Sequence, residues 1–126
     1  MLLTLLMYIK LAITKKKEIS TGNVDLKKTA LDASAWPESV IKINNNLRNQ
    51  FETPILFYLL CLLLWALRGV DTVSMMIACL YTAARYVHAA VHTSSNNVPQ
   101  RFMMFLFSMG MLLVLFGLTV KTLATL

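Results

Sequence analysis

The chain has 126 residues, of which 57% are hydrophobic and only 14% charged, a balance too apolar for a soluble domain of this size and suited to one small integral membrane domain covering residues 1–126. Twelve basic against six acidic residues give a net charge of +6. The basic residues gather in one segment beside an apolar helix without interleaved aromatics, which argues against nucleic acid as a partner and for topology signals at a lipid bilayer.

Four apolar stretches follow in chain order: Leu2–Ile13, Phe51–Leu67, Val73–Val91 and Phe102–Val120. A bilayer core of ~30 Å needs roughly 20 helical residues, so the last three qualify, while the first is short and is expected to run on as helix to about Lys17. The sequence thus predicts an all-α integral membrane fold, an up-down bundle of four transmembrane helices at about 2–17, 51–68, 72–92 and 100–121. Lys15, Lys16 and Lys17 follow the first apolar run and no basic residue precedes it, the reverse of a signal peptide. The 15–50 segment also carries Lys27, Lys28, Lys42 and Arg48, whereas the turn between the second and third spans offers Arg68 beside Asp71. By the positive-inside rule, the 18–50 loop with its helix extension and the 93–100 turn are cytoplasmic. Both termini are then expected on the far side of what reads as a bacterial inner membrane.

Residues 18–35, with Gly22, Asn23 and several Ser and Thr, read as a flexible polar linker. Trp36-Pro37-Glu38 reads as a helix start. Beyond it Val40, Ile43, Leu47 and Phe51 form an apolar stripe, and Asn45, Arg48, Asn49 and Glu52 form a polar one at i, i+3, i+4 and i+7. One long helix is predicted to carry both stripes into the bilayer, with a kink from Pro54 just past Glu52. An Arg48–Glu52 pair capping the lip of the span is the simplest account of its charges.

The third span repeats the puzzle. Tyr81, Arg85, His88 and His92 share one helical face, and Arg85 lies roughly 10 Å inward from His92. An arginine at the centre of a span costs about 2.5–3.5 kcal/mol, so it needs a partner. Glu52 is the acid nearest an inner helix end, and an Arg85–Glu52 contact would be a purely structural explanation. Arg101 follows the turn "SNNVPQRF" and stands in the first turn of the fourth helix, where the helix dipole disfavours a cation unless an anion joins it. It could instead point at lipid phosphate. Three arginines against one glutamate leave two positive charges at the cytoplasmic helix ends. Glutathione as its thiolate carries a net charge of minus two and matches them, as a phosphate-bearing lipid also would.

The run Arg48-Asn49-x-x-Glu52 before the second span, Arg85-x-x-His88 late in the third, and Arg101 sixteen residues after Arg85 together resemble the MAPEG family, the membrane-associated proteins in eicosanoid and glutathione metabolism, over about residues 36–120. The resemblance implies a four-helix bundle assembled as a homotrimer, with glutathione as co-substrate in clefts between subunits near the cytoplasmic face. It implies that Arg48, Asn49 and Glu52 hold the polar backbone of glutathione, that Arg85 supports the site, and that Arg101 faces the sulfur; Asn45 and His88, on the same polar faces, are expected among the glutathione-binding residues. Lipophilic electrophiles or lipid hydroperoxides would be the second substrates. Some relatives bind lipid without glutathione chemistry, so a lipid-binding or regulatory trimer is the alternative reading.

One position departs from the pattern. Seven residues after Arg85, where glutathione-using members usually have tyrosine, stands His92, whose imidazole can act as base or cation near neutral pH. The catalytic residues expected are therefore Arg101 and His92. A thiol of pKa near 8.5 is only about 3% ionised at pH 7, and an adjacent cation lowers a pKa by roughly one to three units. Both histidines also read as interfacial residues with ordinary hydrogen bonds. Cys61 and Cys79 read as inert packing residues, no metal site is expected, and a four-span exporter is disfavoured because no acid stands near the midplane.

Overall fold

The computed structural model describes residues 1–125, and every regular element among them is helical. α1 (Leu2–Ser20) leads through a short α2 (Leu26–Leu31) and a single 3-10 turn (Ala33–Ala35) to α3 (Glu38–Gln50). α4 (Thr53–Ala66), α5 (Thr72–Thr93) and α6 (Val98–Ala124) complete the chain.

The 18–35 segment is more ordered than its polar composition suggests. Asp25 accepts hydrogen bonds from the backbone N–H groups of Lys27 and Lys28 at 3.0 and 3.2 Å and starts α2. Asp32 does the same for Ser34 at 2.8 Å and starts the 3-10 turn. Two side-chain caps thus turn an expected flexible linker into short helical pieces.

α3 and α4 are not one kinked helix. Pro54 has no N–H to offer the carbonyl four residues back, and the chain answers by ending α3 at Gln50. Phe51 N–H reaches only the Arg48 carbonyl, at 2.9 Å. Glu52 takes a non-helical conformation (φ −98°, ψ −99°), and Pro54 stands in the first turn of α4, where its missing donor is harmless. The break at Phe51–Glu52 leaves α3 carbonyls without helical partners.

α1 runs antiparallel to α3 and α4. Tyr8 meets the Phe51 ring edge-on, Lys10 Nζ donates to Thr93 Oγ1 at 2.8 Å, and Glu18 accepts from Ser39 at 2.6 Å. Lys15 lies 4.7 Å from the centre of the Trp36 ring. Lys10 is therefore level with the end of α5, and the half of α1 beyond it lies along α3. The helix covers the stretch read at 2–17 and continues to Ser20. Lys15 and Glu18 find their partners, Trp36 and Ser39, beside α3.

The core is formed where α4, α5 and α6 meet: Leu60, Leu64, Tyr81, Leu112 and Leu115, with Phe57 stacked on Tyr81 at 4.2 Å. Outside it the protein shows apolar side chains to its surroundings, among them Leu62, Trp65 and Leu113, which are 62%, 73% and 64% exposed. This inverted surface suits lipid. Two segments, Glu38–Ala66 and Val98–Ala124, of 29 and 27 residues, are long and apolar enough to cross a membrane. Within α6 the hydroxyls of Ser108, Thr119 and Thr122 bond to carbonyls of their own helix, so none is left unpaired towards lipid.

Candidate functional site

The site lies where α3 breaks, α5 ends and α6 begins. Asn45, Arg48, Asn49 and Glu52 come from α3 and the break, His92 from the last turn of α5, and Arg101 from the first turn of α6. These six line one polar recess of about 250 Å³. Arg48 and Glu52 are exposed, Asn49 and Arg101 half-buried, and His92 only 3% exposed. A second recess of about 200 Å³ adjoins it, sharing Asn49 and Arg101 and adding His88, Val98, Phe102 and Phe105. A polar chamber therefore borders a mixed one, to which Val98, Phe102 and Phe105 add apolar wall.

Arg85 and His88 do not line the polar recess, and both are buried within the chain, 3% and 2% exposed. Arg85 Nη2 donates to the Asn49 carbonyl at 2.9 Å. That carbonyl is one of those orphaned by the α3–α4 break, so Arg85 closes the C-terminus of α3, where the helix dipole favours a cation. The Arg85–Glu52 ion pair weighed from sequence does not form. Nor does Arg48–Glu52: among the described residues, the one ion pair within 4.0 Å is Glu38–Lys42 at 2.8 Å. The break rotates Glu52 out of helical register with Arg48, and Arg85 takes a backbone carbonyl through Nη2 alone, leaving its Nε and Nη1 buried without a partner.

His88 ties α5 to α6. Its Nδ1–H donates to the Arg101 carbonyl at 3.0 Å, which leaves Nε2 as a buried acceptor with no partner. His92 packs edge-on against it at 5.7 Å, and its Nδ1 is likewise unpartnered. Arg101 Nη1 donates to Asn96 Oδ1 at 2.8 Å.

The charge balance in the recess is smaller than the sequence suggested. Arg48 and Arg101 against Glu52 leave one net positive charge in the recess, and Arg85 contributes from behind its wall, through Asn49. The polar face of α5 is covered by its own chain, so no neighbouring subunit is needed to bury Arg85, His88 and His92.

Sequence reasoning missed Asn46 and Gln50, buried at 0% and 5% and bonded to each other at 3.4 Å. Their i, i+4 spacing beside the apolar stripe was a usable signal. It also missed Asn96, for which the turn composition gave no hint beyond an amide near Arg101. Cys79 is exposed on α5 and Cys61 half-buried; both are free thiols.

The family model described as "MAPEG family" matches residues 1–121. No curated protein and no solved structure matches the chain.

Proposed function

From the premise that this chain belongs to the MAPEG family, whose membership supports a membrane-bound, glutathione-related function, we propose that it is a glutathione-dependent transferase or peroxidase-like enzyme acting on lipophilic electrophiles. The observation that carries the reading is the convergence of Asn45, Arg48, Asn49, Glu52, His92 and Arg101 on one recess. In this reading Arg48 meets a carboxylate of glutathione, Glu52 meets its ammonium, and the two asparagines pair its peptide groups. Arg101 faces the sulfur. A guanidinium at a helix N-terminus favours the thiolate on two counts, by its own charge and by the dipole behind it. Glutathione with its thiol protonated carries one net negative charge, equal and opposite to that of the recess, and ionisation of the thiol adds a second that Arg85 helps to balance.

The thiolate then forms an S–C bond with an electrophilic carbon while the leaving group departs with its bonding pair, or attacks the terminal oxygen of a hydroperoxide. That attack breaks the O–O bond to give glutathione sulfenic acid and an alkoxide that takes up a proton to become the alcohol, and a second glutathione converts the sulfenic acid to disulfide and water. The second substrate enters from the lipid through the recess walled by Val98, Phe102 and Phe105, where an apolar molecule already partitions. His92, at the edge of the polar chamber, is placed to exchange a proton with the thiol or the leaving group.

The proposed assembly is a homotrimer in a bacterial inner membrane, with α1 and α5 joining the two apolar segments in a four-span bundle and the 18–50 segment in the cytoplasm. The exposure of Arg48 and Glu52 at the lip supports a neighbouring subunit or ligand there. A second reading, a lipid-binding or regulatory trimer without turnover, is favoured by His92 in the usual tyrosine position.

Turnover of glutathione with a lipophilic electrophile by the purified protein separates the two. The transferase reading expects Arg101→Ala to bind glutathione within a few-fold of wild type and to lose most turnover, with Arg101→Lys recovering part of it. Absence of turnover by the folded wild-type protein that still binds lipid would establish the alternative.

A further inference from the structure

Asn96 sits in the turn between α5 and α6 with φ +52°, in the left-handed region that few residues other than glycine and asparagine adopt readily. Its N–H bonds to the Val91 carbonyl at 2.8 Å and closes the end of α5. Its neighbour Asn97 has a different task, capping α6 by accepting from Gln100 N–H at 3.1 Å. The side chain of Asn96 is thus left over from the turn, and its Oδ1 accepts from Arg101 Nη1 at 2.8 Å.

We propose that Asn96 is a positioning residue for Arg101, holding the guanidinium over the recess so that its charge falls on the sulfur of bound glutathione; this rests on the glutathione reading given above. The backbone of Arg101 is already fixed by His88, but its side chain has several rotatable bonds and a free alternative in the lipid headgroups, towards which arginines at helix ends extend. One bond to Nη1 removes that freedom and leaves the other N–H groups for a ligand. A neutral amide orients the cation without cancelling it. A carboxylate at the same place would hold the guanidinium equally well and oppose its effect on a thiol.

The decisive set is Asn96→Gly, Asn96→Asp, Arg101→Ala and the double variant Asn96→Gly/Arg101→Ala. Glycine keeps the left-handed backbone and removes only the acceptor. The quantity measured is the pH at which bound glutathione ionises, followed by thiolate absorbance in the far ultraviolet, together with KM and kcat. Asn96→Gly should raise that midpoint by about one pH unit and lower turnover at neutral pH about tenfold, with KM within about twofold. Asn96→Asp should raise it at least as far, and the double variant should match Arg101→Ala alone. A wild-type midpoint in Asn96→Gly, with a raised one in Arg101→Ala, would overturn the role of Asn96 and leave the thiolate reading intact. An unshifted midpoint in Arg101→Ala, or no glutathione bound by the folded wild-type protein, would overturn both. A further shift of the double variant beyond Arg101→Ala would show that Asn96 acts elsewhere.

Discussion

Two polar stripes of similar composition end up in opposite surroundings. On α3 and the break that follows it, Arg48 and Glu52 are exposed, whereas on α5 Arg85, His88 and His92 are each at most 3% exposed. The difference comes from the neighbours. α5 is packed along α6 and against α3, so its polar face closes on protein, while the Asn45–Glu52 face of α3 borders an open recess that leaves Arg48 and Glu52 exposed. Exposed charges keep their hydrogen-bonding capacity for a ligand, whereas the buried arginine turns only part of it to the fold. Arg85 Nη2 bonds the carbonyl that the α3–α4 break orphans, and its Nε and Nη1 are buried without a partner.

Exchanging the two roles should separate stability from binding. Arg85→Ala removes a buried side chain and leaves the Asn49 carbonyl unpaired, so it should lower stability by about 2–4 kcal/mol, seen as a fall in melting temperature of the protein without ligand. A melting temperature equal to wild type would place Arg85 among the ligand-binding residues instead. Arg48→Ala and Glu52→Gln should leave that melting temperature nearly unchanged and weaken glutathione about ten- to a hundredfold, an effect on KM rather than kcat because the groups they meet are charged before and after reaction.

A contact at the far end of the bundle sharpens the contrast, because it concerns packing alone. The α4–α5 turn touches α6 at Gly69, where an added Cβ would lie 2.5 Å from Thr122 Cγ2 and 2.7 Å from its Oγ1. Gly69→Ala should therefore destabilise by about 1–3 kcal/mol. Thr122→Ala in the same chain should restore much of it, and glutathione affinity per folded molecule should not move in either variant.

The smallest effect is a pH dependence at the start of α5. The Ser74 backbone N–H, and then its hydroxyl, hold the Asp71 carboxyl below its ordinary value of 3.8. A carboxylate whose folded pKa is depressed contributes its stability fully above the unfolded value and loses it as pH falls through the folded one. Melting temperatures followed downward from about pH 5 should show this loss in wild type, and Asp71→Asn, which keeps the cap without titrating, should lack it.

The sequence made the helices legible because their periodicity is strong, and it made the membrane legible because apolar runs of spanning length are rare in soluble chains. The polar stripe before the second span and the placement of Arg101 were equally readable, and six of the eight expected site residues share the recess. What could not be read was set by backbone events without a local signal. Pro54 announced a disturbance, but whether the helix bends or breaks depends on what receives the freed carbonyls, and Arg85 lies 36 residues away from the one it bonds. The Arg85–Glu52 pair failed for the same reason, since charge matching in sequence ignores a backbone acceptor. The surroundings of the inner half of α1 were equally hidden, because its continuation beyond Leu2–Ile13 packs on Trp36 and Ser39 far along the chain.

The central claim is that the recess at the α3 break binds glutathione through its exposed charges. Calorimetric titration of the detergent-solubilised protein with glutathione tests it most directly. Saturable binding by wild type, weakened in Arg48→Ala and Glu52→Gln while both keep the wild-type melting temperature, is the result expected. No saturable heat from folded wild-type protein, or binding untouched by both substitutions, would contradict it.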